Sequence, residues 1–378
     1  MPNEKTEEKQ KMADKIGEKV KTSGRNGEID FLRFVFCMTI VGRHMFSSYD
    51  LGVFISPAIG VEFFFIVSGY LMAKSAEKTS GIIKSGEIGT TTWSYIIRKT
   101  KSFFPYYICA MIFQVIIKYI LIDGYSMTKL YRTFIKSIPS FTLTFMGFAN
   151  KIGWYVPNTW FLSSLLIASF ILYPFLIGKY DISSKILCPL IAMFIIGYSY
   201  LTAETFRVGT AFELWNGVCL SGVIRAISEM SLGVGLYPLS QVLREKFSAK
   251  GIISKIILTL IKIYCYLMVF AYIIGIYDKD FSIYIFFFLA IGIVMSFAEL
   301  GFCIQDNKFT RFLGKIALPI YIFHGVLRHI CLELFKPENT SHKMALALTC
   351  LIVVFCIGFM YLTDFIMKLI HKKQQVQA

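Results

Sequence analysis

Long runs of apolar residues, separated by short polar segments, dominate the hydrophobic pattern of the chain. Many of these runs are long enough to cross a bilayer, because about 20 residues of α-helix span its roughly 30 Å hydrocarbon core. The pattern therefore predicts an all-α fold, a polytopic integral membrane helical bundle of about ten transmembrane helices. The predicted spans are 30–49, 53–73, 103–122, 158–178, 186–202, 217–239, 252–274, 281–304, 311–332 and 344–370. Residues 128–150 are predicted to form a further, partly amphipathic segment.

The polar ends of the chain set the predicted domain boundaries. Residues 1–28 are rich in Lys and Glu and lack the apolar core of a signal peptide, so we expect a solvated cytoplasmic leader. Residues 29–371 form the predicted transmembrane domain, and residues 372–378 form a short cytoplasmic tail. The pattern contains no internal repeat and no mark of a second domain.

Composition and charge agree with a membrane protein. The 378 residues are 56% hydrophobic and only 17% charged, whereas soluble domains carry about 25% charged residues. The net charge of +15 is explained by basic residues on the cytoplasmic side, and no basic-aromatic module indicates nucleic acid. The nine cysteines are scattered singly, mostly in apolar runs, so neither disulfides nor a metal site is predicted.

The distribution of Lys and Arg predicts the orientation in the membrane. With a cytoplasmic N-terminus, the inner segments contain 25 of these residues and the outer loops contain eight. This bias favours both termini inside, with residues 74–101 and 244–255 cytoplasmic and residues 123–157 external. We expect a multi-pass protein of the cell (plasma) membrane, surrounded by membrane lipid.

The first predicted helix carries charged residues that are costly in a bilayer. Its sequence, "EIDFLRFVFCMTIVGRHMFSSY", contains Asp30, Arg33, Arg43 and His44. Arg33 and His44 are eleven residues apart and therefore lie on one helix face, about 16 Å apart along the axis. Taken alone, Arg33 is explained by snorkelling to the interface and His44 by a hydrogen bond between helices. Taken together, they suit a substrate with a charged head and a long arm.

The second predicted helix, in "GVEFFFIVSGYLMAKS", carries Glu62. A carboxylate without a partner is costly there, so we expect a partner, with Arg43 or His44 on the preceding helix within reach. Ser68 and Gly69 allow a neighbouring backbone to approach closely. Further along, Arg225 and Glu229 are one turn apart, which indicates an intrahelical ion pair or a polar lining of an acceptor cavity.

These motifs, in this order, resemble the acyltransferase-3 family of integral membrane acyltransferases. Residues 28–75 match its opening Asp, its Arg-x10-His motif and its "GVxxFFxxSGxL" stretch, here Asp30, Arg33, His44 and "GVEFFFIVSGYL" at 60–71. Later matches are "RKTKSFFPYY" at 98–107, "NTWFLSSLL" at 158–166 and "FLGKIALPIYIFHGVL" at 312–327. The resemblance covers nearly the whole chain.

The resemblance implies transfer of an acyl group from cytoplasmic acyl-CoA, with acetyl-CoA the expected donor, to a hydroxyl outside the membrane. The expected acceptor is a sugar of a cell-surface glycan or glycolipid. In this interpretation His44 is a general base or a transient acyl carrier, Glu62 orients it, and His324 binds the thioester oxygen or the acceptor.

The resemblance also implies binding residues at the two faces of the membrane. The phosphates of CoA are expected to contact Arg33, Arg98, Lys99 and Lys101 at the inner face. Arg43, Trp160 and Arg328 are expected to contact substrate at the outer side. Trp154, Trp160 and Trp215 form either an aromatic belt or a platform for stacking a sugar.

Three positions depart from the family pattern. Lys101 stands where Arg is common, which removes a bidentate phosphate contact. Arg43 directly precedes the histidine and would repel a protonated His44 unless Glu62 or a substrate carboxylate intervenes, a mild sign of an anionic acyl group or acceptor. The serine of the late motif is replaced, giving "IALPIYIFH", in which Pro319 predicts a packing kink.

Two other functions fit part of the pattern. A transporter or flippase for a glycan precursor or small amphiphile also uses intramembrane Arg, His and Glu. Transporters commonly show internal repeats and paired broken helices, which this sequence does not show. A family member that binds without catalysing is the third interpretation, and the presence of His44 argues against it.

Overall fold

The computed structural model describes residues 25–52, 59–117, 126–147, 158–203, 211–247, 251–335 and 340–377. The leader up to residue 24 and Trp154 lie outside the described residues. The longer helices are α1 (Gly27–Ser48), α2 (Ile59–Ser80), α3 (Ile88–Ile117), α4 (Met127–Phe141), α5 (Trp160–Gly178), α7 (Cys188–Ala203), α8 (Ser221–Phe247), α9 (Ile252–Ile273), α10 (Ser282–Phe297), α11 (Lys308–Leu334) and α12 (His342–Gln377). The one-turn helix α6 (Tyr180–Ile182) leads through a π-helical turn (Ser183–Leu187) into α7, and 3₁₀ turns (Ser85–Glu87 and Lys279–Phe281) precede α3 and α10. Strands β1 (Leu214–Trp215) and β2 (Cys219–Leu220) form a small antiparallel hairpin before α8.

Seven helices in the described part of the chain are long and apolar enough to cross a membrane. They are α2, α3, α5, the continuous stretch Tyr180–Thr202, α9, α11 and α12. The all-α multi-pass membrane fold is therefore confirmed. Helices α1, α8 and α10 also coincide with predicted spans, but α10 has 16 residues and α1 and α8 carry several charges, so the count of ten stays a prediction.

Helix α1 runs parallel to α11, its main partner. Cys37 Sγ lies 3.1 Å from the carbonyl oxygen of Ala317, and Arg328 Nη1 lies 3.1 Å from Ser48 Oγ, each pair 280 residues apart. Near the start of both helices, Asp30 packs against Gly314, where any side chain would overlap its carboxylate. A constant separation along both helices means that they cross the bundle in the same direction. We call the end where both begin the inner end and the other the outer end.

Helix α2 packs closely along α8, and glycines create the contact. A Cβ atom on Gly69 would overlap the carbonyl oxygen of Met230, and one on Gly233 would overlap that of Ile66. Tyr70 and Ser240 share a hydrogen bond of 2.7 Å further along. The predicted close approach at Gly69 is confirmed, and its partner is α8, six helices later in the chain. Small residues of this kind let membrane helices pack backbone against backbone.

A buried ion pair fixes the inner end of α1. Lys262 Nζ of α9 donates to Glu28 at 2.9 Å and to the carbonyl oxygen of Phe302 at 3.1 Å. Ser296 of α10 donates a further hydrogen bond to the same carboxylate. Asn26 caps the helix by accepting from the backbone N–H of Ile29 at 3.0 Å. The charged start of α1 is thus held between α9 and α10.

The surface of the bundle is apolar where the helices face outward. On α9, Ile253, Leu260 and Leu267 recur every seven residues and are 60–71% exposed. A spacing of seven residues places them on one helix face, opposite the buried Lys262. Helix α4 carries an exposed apolar stripe of Met127, Tyr131, Phe134, Ile135 and Ile138, which confirms the predicted amphipathic segment. Such faces belong in contact with lipid.

Candidate functional site

A cavity of about 420 Å³ lies between five helices of the bundle. It is lined from α1, α2, α3, α5 and α11, and its wall on α2 extends from Val61 to Ser75. Fourteen residues of helix correspond to about 21 Å, so the cavity is elongated along the bundle axis. Polar and basic side chains line its inner part, and Phe64, Phe161 and Tyr321 line its outer part.

The inner part of the cavity gathers three of the four residues predicted to contact CoA phosphates. Arg33, Arg98 and Lys99 line it, whereas Lys101 is exposed and lies outside this wall. The guanidinium of Arg98 lies 5.8 Å from the centre of the Tyr95 ring, and the ammonium of Lys99 lies 5.6 Å from it. The ring itself is stacked on another aromatic side chain, so both cations rest on a rigid platform.

A second cavity, of about 670 Å³, adjoins the first at the inner end. The two cavities share Arg33 and Leu71, and the second adds the cationic side chains of Arg25, Lys74, Lys78 and Arg244. Asp30 and Glu299 also line it, and they pair with Arg33 at 3.4 Å and with Arg244 at 3.1 Å, respectively. The count of Lys and Arg predicted that these residues lie at the inner face. No sequence motif predicted that they form a binding site.

The two predicted histidines lie side by side. The rings of His44 in α1 and His324 in α11 are stacked with centroids 5.4 Å apart and planes 25° apart. His324 Nδ1 lies 2.7 Å from the carbonyl oxygen of Tyr321, so Nδ1 carries the proton and donates it. His324 Nε2 lies 3.2 Å from Nδ2 of Asn158 and accepts from it. The ring nitrogens of His44, by contrast, form no hydrogen bond with the described residues.

Tyr321 separates the cavity from the histidine pair. Its ring lines the outer end of the cavity and lies 5.8 Å from the ring of His324, one turn further along α11. Its hydroxyl donates to the carbonyl oxygen of Asn158, whose backbone has a φ of 67°. Asn tolerates this left-handed conformation better than most residues. The sequence placed Asn158 inside a family-like motif but gave it no role.

Two arginines lie close to the histidine pair. Arg43 adjoins His44 in the chain, and Arg328 is one turn beyond His324. The side chain of Arg328 donates to Ser48, which is itself one turn beyond His44 and donates to its carbonyl oxygen at 2.6 Å. Arg43 and Arg328 thus bring two basic side chains close to the histidine pair.

Glu62 forms its buried ion pair with Arg225 of α8. The sequence analysis expected Arg43 or His44 as the partner of Glu62. Sequence order indicates only that helices next to each other in the chain are close in space, and α8 is far from α2 in the chain. The predicted intrahelical pair is present as well, with Arg225 Nε 3.6 Å from Glu229. One arginine therefore bridges two carboxylates inside the bundle.

The described tryptophans of the predicted outer cluster have different surroundings. Trp160 lies under the guanidinium of Arg225, which is 5.1 Å from its ring, and packs near Phe65. Trp215 is in the hairpin before α8 and contacts Tyr198, with centroids 5.9 Å apart. Trp160 is thus part of the wall behind Glu62, and its predicted role in binding a sugar stays a prediction.

Two further features bear on the chemistry that the described residues can support. No group of three or more His, Cys, Asp or Glu side chains in the described ranges is arranged to hold a metal ion. His329 Nδ1 lies 3.2 Å from the amide nitrogen of Gln114, so this histidine joins α11 to α3. It does not belong to the stacked pair.

The acyltransferase-3 family model, described as an acyltransferase domain, matches residues 26–364. The match begins one residue before α1, ends within α12 and includes every residue of the two cavities except Arg25. No curated protein and no solved structure matches the chain.

Proposed function

Because the chain belongs to the acyltransferase-3 family, we propose that it transfers an acetyl group from cytoplasmic acetyl-CoA to a hydroxyl of an extracytoplasmic glycan or glycolipid. The family makes the chain an acyltransferase for groups other than aminoacyl groups, and the seven apolar helices make it a multi-pass membrane protein. The acetyl donor, the sugar acceptor and the plasma membrane location belong to the proposal.

The observation that carries the proposal is the position of the histidine pair relative to the elongated cavity. The cavity has cations at its inner part and ends at Tyr321, and the stacked His44 and His324 lie immediately beyond that ring. A CoA thioester has a matching layout, with phosphates at one end and the reactive carbonyl at the other end of a long arm. The negative phosphates would lie at the cationic inner part, and the thioester would then lie at the outer end near the histidine pair.

The inner cations supply the binding energy for the donor. Arg33, Arg98 and Lys99 line the elongated cavity, and Lys74, Lys78 and Arg244 line the adjoining one. Together they can accommodate more than one phosphate group, which is what CoA presents. Arginine binds phosphate in a bidentate way and lysine as a point charge, so both kinds of contact are available.

His44 is the proposed general base. Its ring nitrogens are not committed to other described residues, so one of them can accept the proton of the acceptor hydroxyl. The hydroxyl oxygen then attacks the thioester carbonyl, the new C–O ester bond forms, and the C–S bond breaks. The proton passes from His44 to the departing sulfur, which leaves as the thiol of CoA. His324, held by Tyr321 and Asn158, limits the positions available to the His44 ring.

The proposed test follows acetyl-CoA in nanodiscs containing the wild-type chain, His44→Ala or, as a control, His342→Ala. His342 is an exposed histidine at the start of α12. We expect wild type and the control to bind acetyl-CoA and to release CoA with transfer of a mass-labelled acetyl group. His44→Ala should bind the donor equally well and transfer about 10²–10⁴-fold more slowly, the usual contribution of a general base.

The outcomes separate the proposed function from its alternatives. A labelled acetyl group found covalently on His44 in the absence of acceptor would identify an acyl carrier in place of a base. If the wild-type chain binds no acyl-CoA, the proposed donor is wrong. Transport of a glycan precursor across vesicles would then be the next activity to measure.

A further inference from the structure

Arg328 differs from other buried or half-buried basic residues in the kind of partner that it contacts. Arg225 has the carboxylates of Glu62 and Glu229, Lys262 has Glu28, and Arg33 has Asp30. Arg328 is half-buried, and its recorded partner among the described residues is the neutral hydroxyl of Ser48. Its Nε atom is buried and has no hydrogen-bond partner in the described part of the chain. A cation in such a setting is costly until an anion or water reaches it.

Arg328 lies close to the proposed reacting groups. It is four residues after His324 on α11, and Ser48 is four residues after His44 on α1, so the Arg328–Ser48 contact lies one turn, about 6 Å, outward from the histidine pair. If the donor enters from the inner end, two groups can occupy this space. One is the part of the acyl group beyond the thioester carbon, and the other is the acceptor.

The local charge selects the chemistry of that occupant. Among the described residues, no carboxylate forms an ion pair with Arg328, and the neighbouring rings of His44 and His324 bring no negative charge. A neutral acetyl group and a neutral sugar would leave the guanidinium of Arg328 without an anionic partner among the described residues. Resting on the proposed function, we propose that Arg328 binds a carboxylate or phosphate of the substrate, carried either by the acyl group or by the acceptor.

The experiment uses the full chain in nanodiscs and two matched pairs of probes. The donor pair is acetyl-CoA and succinyl-CoA, which differ by one carboxylate at the end of the acyl group. The acceptor pair is p-nitrophenyl β-glucoside and p-nitrophenyl β-glucuronide, which differ by one carboxylate on the sugar. Binding of each probe is measured calorimetrically for wild type, R328Q, R328K and the control R132Q, which removes an exposed arginine from α4.

We expect wild type and R132Q to bind the anionic member of one pair at least about tenfold more tightly than its neutral counterpart. In R328Q this preference should disappear, because glutamine keeps a hydrogen bond to Ser48 but has no charge. R328K should retain part of the preference. The pair that shows the effect identifies the source of the anion, the acyl group or the acceptor.

Other outcomes overturn the inference. Equal binding within both pairs by the wild-type chain, or an unchanged preference in R328Q, removes the anion site. A lower melting temperature of R328Q with an unchanged preference would assign Arg328 to the C-terminal carbonyls of α1, a purely structural role. In all these cases binding of acetyl-CoA leaves the proposed function standing, whereas loss of all acyl-CoA binding by wild type would remove that function itself.

Discussion

At the scale of single residues, the two stacked histidines are held in different ways. His324 is fixed through both ring nitrogens, by the carbonyl oxygen of Tyr321 and the amide of Asn158. His44 has no hydrogen bond from its ring to the described residues, although its neighbour Ser48 donates to its backbone. A fixed ring beside an uncommitted one suits a division between positioning and proton transfer, as in other sites where a second group orients the base.

Asn158 provides a test of this division, because the effects of its backbone conformation and of its side-chain amide can be measured separately. Asn158→Gly retains the left-handed backbone without cost and removes the amide that donates to His324. We expect the melting temperature to change little, and acyl transfer to fall by about tenfold with donor binding unchanged. The measurements are transfer of labelled acetyl groups and thermal unfolding in the same detergent.

Asn158→Ala is the matched variant for the backbone. It removes the same amide but also forces alanine into a conformation that costs about 1–2 kcal/mol. We therefore expect Asn158→Ala to share the slower transfer of Asn158→Gly and, in addition, to unfold at a lower temperature. Full activity in the glycine variant would show that the hydrogen bond to His324 is not needed for transfer.

At the scale of helices, the contact between α2 and α8 depends on the absence of side chains. Gly69→Ala and Gly233→Ala each place a Cβ atom on a backbone carbonyl of the opposite helix, which must then move away. We expect each variant to unfold at a clearly lower temperature, since overpacking a tight contact costs about 1–3 kcal/mol.

Two other helical glycines serve as controls for the α2–α8 contact. A Cβ atom on Gly197 of α7 or on Gly358 of α12 would meet no atom within 4 Å. Alanine is the better helix former by roughly 1 kcal/mol, so Gly197→Ala and Gly358→Ala should be neutral or stabilising. Similar losses of stability in all four variants would contradict the interpretation of Gly69 and Gly233 as contact residues.

Sequence reasoning found most helices because apolar runs have to match the thickness of a bilayer. The family resemblance also assigned both His44 and His324 to the reacting centre. Sequence reasoning did not find Arg225 as the partner of Glu62, or Asn158 as the partner of His324. Which helix faces which is decided by side-chain packing between distant segments, and this leaves no periodic signal in the sequence.

Helix α3 shows a second limit of the apolar pattern. It begins at Ile88, well before the predicted start at residue 103, because a helix can continue through the polar segment that contains Arg98 and Lys99. Hydropathy marks where a helix is apolar, and hydrogen bonding of the backbone decides how far it extends. The extra turns present both cations to the cavity on a rigid element.

At the scale of the whole molecule, α1 and α11 run in the same direction although they are far apart in the chain. Both bring basic residues to the histidine pair at the same end, and both carry basic residues near the other end. The predicted orientation gives this arrangement an absolute direction, with the inner end in the cytoplasm. With that orientation, the cavity proposed for the donor would face the compartment that contains acyl-CoA.

Labelling of single cysteines tests this orientation. Arg132→Cys in α4 is predicted to be external and Lys246→Cys near the end of α8 is predicted to be cytoplasmic, and both positions are exposed. With a membrane-impermeant maleimide and intact cells, Arg132→Cys should be labelled at once and Lys246→Cys only after permeabilisation. The wild-type chain is labelled in parallel to measure the background from its nine native cysteines. The reverse pattern would place both termini outside.

The partnership of α1 with α11 also has a consequence for biosynthesis. Helix α1 is made before α11, yet α11 is the helix that covers its Asp30, faces its His44 and binds its Ser48, which is 280 residues from Arg328. A nascent or truncated chain that stops before α11 therefore contains the donor cations and one histidine but no stacked pair. The stacked pair forms only after α11 has been made, so under the proposed function a chain that stops earlier should not consume acyl-CoA.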